Sequence, residues 1–195
     1  MPQFSLNRLI IAARTGNLIS FPTDTVPALA TLPIHAELIF QAKQRSQDKP
    51  LILMVGEVAD IWQFTKGTEQ ELEIWQAVAD RYLPGALTMV LPASDLLPAV
   101  MNPLGDRTIG LRVPDCNIAR SILRQTGALA TTSANLSGAP PLLTMAEISH
   151  NFSQVFTLDT DLNTPTAGQP STVIEWTNSG WKLLRQGTIK FIETD

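Results

Sequence analysis

Short apolar runs, each closed by proline, glycine or a polar turn, alternate along this chain with segments in which apolar residues recur every three or four positions. That alternation constrains the fold most. Runs such as Leu18–Phe21, Leu51–Val55, Ala86–Leu91, Thr108–Val113 and Ala128–Thr132 have the length and bounding residues of buried strands. Between them, Leu6, Leu9, Ile10 and Ala13, then Leu38, Ile39 and Ala42, then Leu72, Trp75, Val78, Ala79 and Tyr82 each fall on one helical face. Ser5 is in place to cap the first helix and Gly16 to stop it; Pro84-Gly85 stops the helix read over 69–83, and Gly127 closes one over 117–126. Thr144, with Glu147 three positions on, has the form of a capping box, so a short helix starts there. Thr172–Trp176 and Trp181–Arg185 flank the turn-forming tetrapeptide Thr177-Asn178-Ser179-Gly180 and read as a terminal hairpin. Alternating elements plus a hairpin predict an α/β domain around a twisted, open, mixed β-sheet flanked by helices.

Composition sets the remaining bounds. Of 195 residues, 44% are hydrophobic and 16% charged, against roughly 25% charged in ordinary soluble chains, so a substantial core is affordable and global disorder is excluded. A single domain over residues 1–195 is the simplest reading. No apolar run approaches the roughly 18–20 residues a membrane crossing needs, and a reducing cytoplasm is the expected compartment for a chain whose one cysteine, Cys116, has no partner. The net charge of −4 means that any attraction to polyanions is local.

Common catalytic and nucleotide-binding patterns are missing. There is no Walker-type loop, no Gly-x-Gly-x-x-Gly and no nucleophile elbow. His35 and His150 read as surface or packing residues, Cys116 as a small packing residue, and no carboxylate cluster announces a metal site. What remains is a set of polar loops at predicted strand ends, where open α/β sheets bind ligands. Pro22-Thr23-Asp24-Thr25-Val26 is either a turn or part of a site. Lys43-Gln44-Arg45, with Lys49 beyond it, is either a solvated cluster or a polyphosphate grip, lysine serving as point charge and arginine as planar fork. Thr131-Thr132-Ser133-Ala134-Asn135 offers hydroxyls and an amide. Arg112, in an otherwise apolar strand, is either an outward edge residue or a receptor for a carboxylate. Ser171 and Arg185 lie near the two ends of the hairpin.

Taken in order, Pro22-Thr23-Asp24-Thr25-Val26, Lys43-x-Arg45, Pro84-Gly85-x-Leu87-Thr88, Leu111-Arg112-Val113-Pro114, Thr132-Ser133-Ala134-Asn135-x-Ser137-Gly138, Ser171-Thr172-Val173-Ile174 and Leu184-Arg185-x-Gly187 resemble the YrdC-like family, the threonylcarbamoyl-AMP synthases. The resemblance covers roughly residues 5–189 and implies the single-domain form, with a concave basic cavity. It implies condensation of L-threonine, bicarbonate and ATP into threonylcarbamoyl-adenylate and pyrophosphate, with Mg²⁺ arriving on the ATP, for handover to the machinery that installs t6A on tRNA. By motif, Lys43, Arg45, Ser133, Asn135 and Arg185 would hold ATP, Lys43 and Arg45 being the catalytic pair. Thr23, Thr25, Lys49, Arg112, Thr131 and Ser171 would hold threonine or bicarbonate. One departure stands out: the family continues its first motif as Val-Tyr-Gly-Leu, whereas here Val26 is followed by Pro27-Ala28-Leu29. That leaves two alternatives in view: a paralogue that adenylates another carbamate or acid, and a double-stranded RNA or ribosome-binding protein using the same cavity. Electrostatic RNA contact would be weak and salt-sensitive.

Overall fold

The computed structural model describes residues 3–46, 50–102, 105, 107–159 and 167–192. Helix α1 (Leu6–Arg14) leads into β1 (Ile19–Phe21) and β2 (Ala28–Thr31); α2 (Glu37–Ala42) precedes β3 (Ile52–Met54), and α3 (Glu69–Tyr82) precedes β4 (Leu87–Pro92). Then come β5 (Thr108–Arg112), α4 (Asn117–Thr126), β6 (Leu129–Ser133), α5 (Met145–Asn151), β7 (Phe156–Thr157), β8 (Thr172–Thr177) and β9 (Gly180–Arg185). Local chemistry accounts for most of these boundaries. The Thr144–Glu147 capping box forms, with Glu147 N–H donating to Thr144 Oγ1 at 3.1 Å and Thr144 N–H to Glu147 Oε2 at 3.0 Å. A second box, Thr68 with Glu71, starts α3. Gly127 follows α4 at φ 79°, a conformation that costs glycine least. Ser5 does occupy the cap position of α1, but its side chain makes no capping bond.

All nine strands form one sheet in the order β7-β1-β2-β6-β3-β5-β4-β8-β9. Its pairs β1/β7, β3/β5 and β4/β8 are parallel and the others antiparallel, so the sheet is mixed and the β8/β9 hairpin is its edge. Residues aligned across strands share a face. Leu53, Leu111, Met89 and Ile174 form one such transverse row and are fully buried in the core. The neighbouring row, Ile52, Gly110, Val90 and Glu175, faces the other way and floors an open cleft. Apolar burial on one face thus fixes which side chains the cleft receives, because a one-residue slip in register would exchange the rows. Among the described residues no helix is long and apolar enough to cross a membrane.

Three features differ from the sequence reading. Ala28–Thr31 is a strand in its own right, β2, buried along its whole length. Residues 58–64 form a 3₁₀ helix that no apolar periodicity announced. Arg112 is not on an edge: β5 lies between β3 and β4, and the side chain is buried. The polar loop read over 159–170 falls mainly on 160–166, outside the described residues; Ala167 and Gly168 donate their N–H groups to the carbonyls of Asp24 and Thr25.

Candidate active site

The Pro22–Val26 segment leaves β1 as a tight turn held by its own hydroxyls. Thr23 Oγ1 donates to the Val26 carbonyl at 2.7 Å and accepts from Thr25 N–H at 3.1 Å. Since that spends the only hydroxyl proton of Thr23, the 3.1 Å contact between the two hydroxyls runs from Thr25 to Thr23. Thr25 then has lone pairs to offer, and Arg112 Nη1 donates to its Oγ1 at 2.7 Å. Arg112 further donates through Nη2 to Asp24 Oδ1 at 2.6 Å and through Nε to the Gly85 carbonyl at 3.1 Å. Only 3% of its side chain is exposed. Burial depresses the Arg112 pKa and the Asp24 carboxylate opposes that depression, so the cation is held where the medium disfavours it. The Pro84-Gly85 motif contributes here through its backbone: a Cβ on Gly85 would collide with the Tyr82 carbonyl.

Helix α2 ends in a Schellman motif, with Arg45 N–H bonded to the Phe40 carbonyl and Gln44 N–H to the Gln41 carbonyl. Gln44 occupies the left-handed position at φ 48°, where glycine is usual. The reversal sends the two flanking cations to different places. Lys43 turns inward, 1% exposed, and its Nζ donates to the Ser133 carbonyl and, at 3.0 Å, to Asn135 Oδ1. Ser133 Oγ bonds to that same Oδ1, and the Asn135 amide donates to the carbonyls of Leu136 and Ala139. Arg45 instead reaches over the end of β6, donating to Thr132 Oγ1 at 3.0 Å and to the Pro50 carbonyl at 3.1 Å. Thr131 Oγ1 donates to the Ile52 carbonyl at 3.0 Å, tying β6 to β3.

From the hairpin, Arg185 folds back onto Ser171, with Nε and Nη2 donating to the Ser171 carbonyl at 3.2 and 2.9 Å. Ser171 Oγ in turn lies 2.8 Å from Thr88 Oγ1. Burial lowers the Arg185 pKa, and repulsion from Arg112 lowers it further. Gly187 is required close by, because a Cβ there would overlap the Pro170 and Ser171 backbone.

These segments converge. A cavity of about 150 Å³ is lined by Thr25, Arg45, Arg112, Thr131, Ser133, Ser171 and Arg185, together with the small apolar wall of Val26 and Ala28. Three guanidinium groups face it, and among the described residues no carboxylate lines it. It adjoins a second cavity of about 500 Å³ that shares Arg45, Pro50, Ile52 and Arg185 and extends over the open sheet row. Of the residues singled out from sequence, Thr23, Lys43 and Asn135 stand behind the wall as supports rather than in it, and Lys49 lies outside the described residues. Thr88 and Asp24 escaped the sequence reading as functional residues, although each sits inside a quoted motif. Among the described residues, no group of three or more His, Cys, Asp and Glu side chains could hold a metal ion. Cys116 is buried, its thiol donating toward the Pro22 carbonyl, and burial raises its pKa.

The sequence pattern of the Sua5/YciO/YrdC family, described as telomere recombination, matches residues 12–187. The chain belongs to this family. It is 32% identical over 186 residues to a threonylcarbamoyl-AMP synthase of Pyrococcus abyssi, covering 93% of this chain and 54% of that one. A structure of P. abyssi Sua5 complexed with L-threonine superposes with a TM-score of 0.81 at 30% identity, over 95% of this chain and 56% of that one. The crystal structure of Escherichia coli YciO shares the fold, with a TM-score of 0.78 at 23% identity, over 93% of this chain and 88% of that one. The chain therefore spans about half the length of the curated relatives it matches.

Proposed function

We propose that this member of the Sua5/YciO/YrdC family makes threonylcarbamoyl-adenylate and pyrophosphate from L-threonine, bicarbonate and Mg²⁺-ATP, a product that feeds t6A modification of tRNA. The observation that carries this reading is the convergence of Arg45, Arg112 and Arg185 on one cavity with no carboxylate in its lining among the described residues. The names of its relatives and the threonine complex of P. abyssi Sua5 agree with it.

The chemistry needs alignment and charge neutralisation more than a nucleophilic side chain. Threonine's amine takes up carbon dioxide, from bicarbonate, as a carbamate. A carbamate oxygen then attacks the α-phosphorus of ATP, and the bond from that phosphorus to the β-phosphate bridging oxygen breaks, releasing pyrophosphate. Arg45 and Arg185, which line both cavities, offset the charge that develops on the phosphates. Arg112 spends three N–H groups on Thr25, Asp24 and Gly85; of its five, two are left by the described residues for the threonine carboxylate. Thr25, Thr131 and Ser171 supply hydroxyls to the amine and side-chain end. Lys43 acts through Ser133 and Asn135, holding the turn that shapes the phosphate side of the cavity. Mg²⁺ enters as part of the substrate.

Of the departure from the family's first motif, Ala28 lines the small cavity, the space this reading gives to the amino acid. That favours, as a second reading, adenylation of a different small acid or carbamate. Pyrophosphate release from ATP by the purified protein, omitting threonine or bicarbonate in turn, separates the two. Dependence on both supports threonylcarbamoyl-adenylate synthesis, release needing bicarbonate and another amino acid supports the second reading, and release indifferent to both omissions overturns the first. Arg45→Ala is expected to weaken ATP binding at least tenfold.

A further inference from the structure

The two cavities differ in size and in chemistry. At about 150 Å³ the arginine cavity is too small for a nucleotide, whereas the adjoining space of about 500 Å³ falls in the roughly 300–1,000 Å³ range of small-molecule sites. A nucleoside triphosphate gripped by Arg45 and Arg185 therefore has one direction in which to place its sugar and base: over the sheet row Ile52, Gly110, Val90, Glu175. Gly110 keeps that floor flat, since a Cβ there would press on Thr88 Cγ2 at 3.3 Å and Ile52 Cγ1 at 3.4 Å. At the far end stands Glu175, the one carboxylate among the described residues lining either cavity. Among the described residues its carboxylate makes no hydrogen bond or ion pair, not even with Lys182, which is aligned with it on β9.

A carboxylate lining the same cleft as two phosphate-binding arginines is matched by neutral hydrogen-bond donors and not by the phosphates, because an ionised carboxylate only accepts. The Arg185 guanidinium is bonded to Ser171, four residues before Glu175 along the same chain, a separation of about 13 Å in extended backbone. A triphosphate held by Arg185 thus has room to extend its nucleoside half, with its ribose hydroxyls and the amine of its base, over the cleft floor toward Glu175. We propose that Glu175 is a specificity-determining residue that reads the nucleoside half of the bound triphosphate by accepting hydrogen bonds from those neutral donors. The inference rests on the reading of the cleft as an ATP site and adds to it the residue that tells a nucleotide from bare polyphosphate.

The test is calorimetric titration of the full chain with Mg²⁺-ATP and, separately, with inorganic tripolyphosphate. Glu175→Ala is expected to weaken ATP about tenfold or more, the loss of a charge-assisted hydrogen bond, and Glu175→Gln, which retains one acceptor oxygen, less. Tripolyphosphate should bind either variant as well as or about twofold more tightly than the parent, a like charge having been removed. A loss of ATP affinity with tripolyphosphate affinity kept or raised supports the assignment; a matching loss of both, or no loss of ATP affinity, overturns it. A parent protein that binds tripolyphosphate as tightly as ATP overturns it alone, whereas one that binds neither overturns the ATP reading as well. Titrations with 2′-deoxy-ATP and with purine riboside triphosphate, which lacks the amine, identify the donor. The parent's preference for ATP over one of them should vanish in Glu175→Ala, and its survival against both overturns the proposal.

Discussion

The pair formed by Arg112 and Asp24 gives the sharpest test of how dry the arginine cavity is. Asp24→Asn keeps the shape and one acceptor oxygen but removes the charge that opposes the desolvation of Arg112. Losing one member of a buried ion pair costs about 3–5 kcal/mol. Arg112 is 3% exposed and Asp24 16%, so the carboxylate side retains some solvent and the lower end applies, about 3 kcal/mol. For a chain of this length each kcal/mol moves the melting temperature by about 2–4 °C, giving an expected drop of about 6–12 °C. Differential scanning calorimetry at neutral pH, at low salt and again at about 0.5 M salt, measures it. The drop should survive salt, because screening acts on solvated charges and hardly on buried ones. Adding Arg112→Met to Asp24→Asn should recover part of the loss, since a buried pair replaced by apolar bulk is often close to neutral. A drop under about 3 °C, or one that disappears at high salt, would mean the pair is solvated and that the electrostatic argument for the cavity is wrong.

Three further outcomes are expected. Gln44→Gly should raise stability by about 1 kcal/mol in urea denaturation, because it relieves a side chain in the left-handed region at φ 48°. Cys116 should resist thiol reagents in the native protein at pH 7–8 and react fully once unfolded, as burial raises its pKa and covers it. Glu57, Glu71 and Glu147 are each held below the ordinary carboxylate range: Glu57 chiefly by its bond to Arg124, Glu71 by the Thr68 backbone, and Glu147 by the Thr144 side chain. A depressed folded pKa contributes stability that is present above the unfolded value and lost as pH falls through the folded one. The melting temperature should therefore decline below about pH 4.5, with a shallower acid slope in Glu57→Gln.

Where the sequence carried local chemistry, it was legible. The limits of α4 and the capping box of α5 follow from a glycine and from a threonine–glutamate spacing that act within one turn of helix. The hairpin follows from its turn residues. The strand order does not, because β3 lies between β6 and β5 for reasons of packing over long chain separations that no local pattern encodes. The same holds for the candidate site. The motifs marked segments that converge, and Arg45, Arg112 and Arg185 do share a cavity. Their division of labour was hidden, since Lys43 and Arg45 are separated only by the backbone reversal at Gln44, which leaves one cation beneath the wall and the other in it. Asp24 read as a lone carboxylate because its partner is 88 residues away.

The cavity takes Thr25 from near one end of the chain and Arg185 from near the other, the latter from an edge strand reached only after every other strand of the sheet. During synthesis, then, Thr25, Arg45 and Arg112 are made well before the hairpin that carries Arg185 and closes the cavity. On the proposed reading of the cavity, nucleotide affinity should therefore appear abruptly, only once that hairpin docks against β4.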